Sequence, residues 1–132
     1  MILLTDVYFL DSTEYDTFKK IKMNFGTMKL NFEKEIERIT TQIVEKYKPE
    51  KIILFGSAAR GETNADSDAD FLIVKKQTPY YGVDRIRELS RLINRNIAVD
   101  FLIYRSDEFE KRLKMEDPFL ELIIKEGKVL YG

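Results

Sequence analysis

The chain has 132 residues, 44% of them hydrophobic, which suits one compact domain around a single core. Its 22 basic and 23 acidic residues almost cancel, leaving a net charge of −1; this argues against bulk binding to DNA or RNA but leaves room for one nucleotide held by a loop and a metal ion. Without cysteine or histidine, the chain cannot build disulfides, thiolate zinc sites, serine triads or imidazole bases, so acid–base work falls to carboxylates, lysines or tyrosines, and metal binding to oxygen ligands that favour magnesium, manganese or calcium.

In chain order, Met1–Leu10 reads as a short strand. Its apolar start meets Asp6 with no basic residues or small-residue cleavage site, so no signal peptide is expected. No apolar run nears the ~20 residues that a membrane span needs, and the cysteine-free composition makes a reducing cytoplasm the expected compartment. Asp11 and Glu14 resemble a helix-start box, followed by Tyr15, Phe18, Ile21 and Phe25 at roughly helical spacing. Residues 1–27 are set apart as an N-terminal extension, and Met23 and Met28 are alternative starts. The expected domain covers residues 28–132.

Phe32, Ile36, Ile39, Ile43, Val44 and Tyr47 recur at helical spacing, which predicts an amphipathic core helix over 32–47. Asn31 is its candidate cap, and Pro49 stops it. Lys51–Phe55 reads as a buried strand, broken by Gly56-Ser57-Ala58-Ala59-Arg60-Gly61 and followed by a polar turn over 62–67. Asp68–Val74 is a second strand. After a loop with Pro79 and Gly82, Val83, Ile86, Leu89 and Ile93 mark another amphipathic helix, and Ile97–Tyr104 is a third strand. Ser106 is expected to cap a short helix through Lys114. Asp117-Pro118 opens a further helix that Gly127 ends, and Val129–Tyr131 closes with a short strand. The fold class is α/β (α+β), a small mixed sheet flanked by helices.

Side chains two apart on a strand share a face. Asp68 and Asp70 therefore project together, roughly 6–7 Å apart at their bases. Their carboxylates can converge on one cation, or on a pair ~3.5–4 Å apart. Asp100 interrupts the otherwise apolar Ile97–Ile103, and an unpaired ionised carboxylate in a core is costly. Its partner is either a cation such as Arg60, Arg85 or Lys75, water at a strand end, or a metal shared with Asp68 and Asp70. Gly56-Ser57 after a strand is either an ordinary turn or a phosphate-binding start to a helical turn. Arg60 can pair on the surface with Glu62 or Asp66. Tyr80 and Tyr81 either stack on a base, meet a partner, or pack locally.

Gly-Ser, ten intervening residues, Asp-x-Asp at a strand start, then an aspartate in the next strand: the stretch GSAARGETNADSDADFLIV closely resembles the nucleotidyltransferase fold shared with DNA polymerase beta and the aminoglycoside nucleotidyltransferases. The size and the run EDPFLELIIKEGKVLYG resemble its minimal (MNT) branch, so that the likeness covers about residues 30–132. The resemblance implies that Asp68 and Asp70 bind two magnesium ions, that Gly56 and Ser57 hold the outer phosphates, and that Asp100 shares one metal and activates the acceptor hydroxyl. Arg60 is a further candidate for triphosphate contact. The resemblance also implies transfer of AMP from ATP to a tyrosine of a small helical HEPN ribonuclease toxin, with this chain as the antitoxin. The absence of an additional helical domain fits an acceptor supplied by a partner protein. Two alternatives remain beside it: a non-catalytic antitoxin that acts by binding alone, and transfer to a small molecule or an RNA end.

Overall fold

The computed structural model describes residues 31–62 and 68–132. The expectations for residues 1–27 and most of the polar turn at 62–67 lie outside the described residues.

Helix α1 covers 31–42 and widens into a π-helical turn at Ile43–Tyr47. Asn31, the expected cap, is already helical. The Lys48 amide closes the end on Ile43 O at 3.1 Å, with Lys48 at φ 57° and Pro49 preventing continuation. Strand β1 (Lys51–Phe55) runs into the single turn α2 (Gly56–Ala59), and β2 (Ala69–Lys75) returns antiparallel to it. Helix α3 (Gly82–Leu92) is the crossover to β3 (Val99–Arg105), which lies parallel to β2. Two helices follow, α4 (Ser106–Lys114) and α5 (Pro118–Glu126), then β4 (Lys128–Tyr131), antiparallel to β1. The sheet order is β3-β2-β1-β4.

The strands alternate between two cores. Ile52, Leu54, Phe71, Ile73, Phe101 and Ile103 face α1 and α3, packing with Ile36, Ile39, Ile43, Tyr47 and Leu89. Ile53, Leu72 and Val74 face α4 and α5, packing with Phe109, Leu120 and Ile123. Among the described residues, α4 and α5 cover the second face only along part of its length.

Two local readings change. In α3 the buried side runs through Arg85 and Leu89, while Val83 and Ile86 are exposed. Arg85 earns its burial by donating to the carbonyls of Pro79, Tyr80 and Ile103 and to Glu108 Oε1 at 2.7 Å. Ser106 is the first residue of α4 rather than its cap. Its hydroxyl meets Glu50, and Glu108 Oε1 instead accepts the Arg105 amide at 2.9 Å. The Asp117-Pro118 start is as the sequence indicates: the Asp117 carboxylate accepts the amides of Phe119 and Leu120. Among the described residues, no helix is long and apolar enough to cross a membrane.

Candidate active site

The expected aspartates gather at the uncovered end of the α4/α5 face, where β1 ends and β2 and β3 begin. Asp70 and Asp100 are direct register partners on the parallel pair, so their side chains leave the same face of strands ~4.8 Å apart. Asp68 lies two residues before Asp70 and just outside the strand, exposed. Asp70 is half-buried. Burial pushes its carboxyl above the usual carboxylate range; the charges of Asp100 and Asp68, and a carboxyl-to-carboxyl hydrogen bond with Asp100, push it further the same way.

Asp100 differs from its sequence reading in one respect: it is exposed, not sunk in a core. Among the described residues β3 is an edge strand; Phe101 and Ile103 are buried in the α1/α3 core, while Val99 and Leu102 are only partly covered. The desolvation cost assigned to Asp100 therefore falls on Asp70. The cations considered as partners for Asp100 are engaged elsewhere. Arg85 pairs with Glu108 at 2.7 Å, Arg60 pairs with Glu62 at 2.5 Å, and Lys75 Nζ donates to Tyr47 O at 2.5 Å. Arg60 thus adopts the surface pairing that was one of its two readings.

Gly56 sits against this cluster. Phe55 is the register partner of Asp70, so the chain turns into α2 beside that carboxylate. Gly56 has φ +69°, and a Cβ there would overlap Asp70 Oδ2. Only glycine permits both the left-handed backbone and the close approach. Ser57 follows in the first turn of α2, whose start no side chain caps.

The donor set fits a hard divalent cation. It consists of carboxylate oxygens that repel one another, with none of the three candidate basic side chains neutralising them. Among the described residues, no three acidic side chains lie close enough together to hold a metal ion as a group. The fit therefore rests on the Asp70–Asp100 pair with Asp68 alongside.

Tyr80 and Tyr81 are not brought to the site. They follow the far end of β2, so that Asp70 and Lys75 alone are separated by roughly 16 Å at ~3.3 Å per residue, and their rings stand edge-on to each other. Phe119, which the sequence reading passed over, does reach this end: its ring meets Phe55 edge-on at 6.2 Å. The available signal was its place beside Leu120, the buried residue of the same turn.

A small mixed sheet with paired carboxylates facing a glycine turn is the framework of a nucleotidyltransferase. The model of the family described as "Nucleotidyltransferase domain" matches residues 36–131, and the chain belongs to that family. It is 33% identical over 104 residues to a Methanocaldococcus jannaschii protein provisionally named a protein adenylyltransferase, a match that spans 77% of this chain and 100% of that one. A solved Sulfolobus solfataricus structure, provisionally named a nucleotidyltransferase, is 28% identical with a TM-score of 0.49, covering 63% of this chain and 75% of that chain.

Proposed function

We propose that this nucleotidyltransferase moves AMP from ATP to a hydroxyl, with magnesium as the metal and two ions bound. The acceptor in this reading is a tyrosine of a partner HEPN-type ribonuclease toxin, which the modification silences, so that the chain acts as an antitoxin. The observation that carries the chemistry is the register pairing of Asp70 with Asp100, with the Gly56 backbone closed against Asp70. Protein as the acceptor is supported by the name given to the Methanocaldococcus jannaschii relative.

Asp68, Asp70 and Asp100 are the proposed metal ligands. When bound, divalent cations neutralise charge on the triphosphate and ease deprotonation of the acceptor. Gly56 lets the backbone approach the outer phosphates, and the Ser57 hydroxyl and amide bond their oxygens. Asp100, the most open of the strand carboxylates, takes the acceptor's proton. The acceptor oxygen forms a bond to the α-phosphorus, the bond from that phosphorus to the bridging oxygen breaks, and pyrophosphate leaves with the electron pair. Arg60, whose exposed side chain pairs with Glu62 among the described residues, can exchange that partner for phosphate oxygens.

Labelled ATP, magnesium and the product of the neighbouring gene provide the test. Label should appear on the partner and be lost by about 10²–10³-fold or more in Asp68→Asn and Asp70→Asn. If those variants neutralise the partner as well as the native chain, the catalytic account of its biology fails. Label on a small molecule or an RNA end would replace the proposed acceptor.

A further inference from the structure

Phe119 has no part in the chemistry above, yet it stands at the edge of the site. The residue is 48% exposed, although the helix that carries it is firmly anchored. Asp117 caps that helix, Pro118 fixes its first turn, and Leu120 and Ile123 are buried in the core. The backbone of Phe119 is therefore held while about half of the residue remains open to solvent.

Its position relative to the carboxylates follows from register. Phe55 lies opposite Asp70 on antiparallel strands, and opposite residues share a face. Asp100 shares that face through the parallel pairing. Phe119 packs its ring against Phe55 at 89°, on the β1 side where Gly56-Ser57 begins, away from Asp100 on β3. A molecule held by its phosphates between Gly56-Ser57 and the aspartates has this ring beside it.

We propose that Phe119 is the platform on which the base of the nucleoside triphosphate stacks. This assignment rests on the nucleotide-transfer reading of the same centre. A base is flat and has an apolar π-face, and a half-exposed aromatic ring, packed edge-on with Phe55, presents a matching surface at no cost in ordering the backbone. Such stacking adds affinity without choosing strongly among bases. Tyr80 and Tyr81, more exposed still, are at the wrong end of β2 for this task.

The test is titration of the full chain with magnesium and two probes, ATP and inorganic tripolyphosphate, which has the phosphates but no base. Phe119→Ala should weaken ATP about 5- to 100-fold while leaving tripolyphosphate affinity within about twofold, since that probe cannot stack. Phe119→Trp, which keeps an aromatic face, should hold ATP as the native chain does. Equal ATP affinity in the native chain and Phe119→Ala overturns the assignment. So does a parallel loss of both probes, which would mark a displaced helix, or a failure of Phe119→Trp to retain ATP. If the native chain binds neither probe, the nucleotide-centre reading itself fails and takes the platform with it.

Discussion

At Gly56 the backbone is held at φ +69°, and a Cβ there would run into the Asp70 carboxylate. Gly56→Ala therefore meets two penalties, a left-handed conformation and a displaced aspartate. The expected cost is about 1–3 kcal/mol of stability, read by denaturant unfolding. The larger effect should be on transfer, by roughly 10²-fold, because a reacting group moved by about an ångström loses its alignment. A rate that survives alongside the stability loss would show that Asp70 need not stay where it is. This residue also shows what a sequence can and cannot disclose. The Gly-Ser turn and its ten-residue distance from Asp68 were readable. The contact between Gly56 and Asp70 was not, because it depends on β1 and β2 pairing antiparallel in one register. Asp100 was legible as a site residue for a partly mistaken reason. Its apolar neighbours suggested burial, but apolar runs do not distinguish a central strand from an edge strand, and β3 is an edge among the described residues.

The elements themselves followed from periodicity and punctuation. The stripe from Phe32 to Tyr47 gave α1, Pro49 its end, and Asp117-Pro118 the start of α5. Long-range polar contacts were out of reach, because no local pattern announces them. Arg85 is the main case: the sequence offered it as one possible partner for Asp100, yet it is 4% exposed and holds the α3 entrance to the ends of β3 and α4. Replacing it with leucine should cost about 3–5 kcal/mol, since Glu108 and three carbonyls would lose their donor; thermal unfolding measures this. Glu35 makes a second such tie. Arg38 bonds both of its oxygens, at 2.8 and 2.9 Å, and the Asn96 amide adds another bond. These hold its carboxyl below the ordinary 4.5, with the Arg38 hydrogen bond the largest cause and burial opposing. The folded chain thus binds fewer protons here than the unfolded chain does. The stabilisation is complete above that ordinary value and is lost as pH falls through the depressed one. Glu35→Gln should lower the melting temperature near neutral pH, and the gap from the native chain should close as pH falls below the ordinary 4.5 and through the depressed value. A gap that stays constant with pH would mean that the tie does not depend on the charge of Glu35.

At the scale of the whole molecule, the four-stranded sheet divides stability from chemistry. Side chains alternate along each strand, so Phe71 and Phe101 go to the α1/α3 core while their neighbours Asp70 and Asp100 go to the other face. The aspartates are thereby fixed by a packed layer that they do not touch, and the repulsion at Asp70 is borne by contacts on the far side. This arrangement predicts separable effects. Ile39 is fully buried between α1 and the sheet, in the core opposite the carboxylates. Ile39→Ala should cost about 2–5 kcal/mol, visible as a lower denaturation midpoint. Measured well below its melting temperature, where the chain remains folded, its kcat should stay within about twofold of native, as expected for distant sites without shared partners. A large fall in kcat at full folding would mean that the sheet transmits core strain to the carboxylates instead of isolating them. That outcome would move the control of activity from the exposed face of the sheet to its interior.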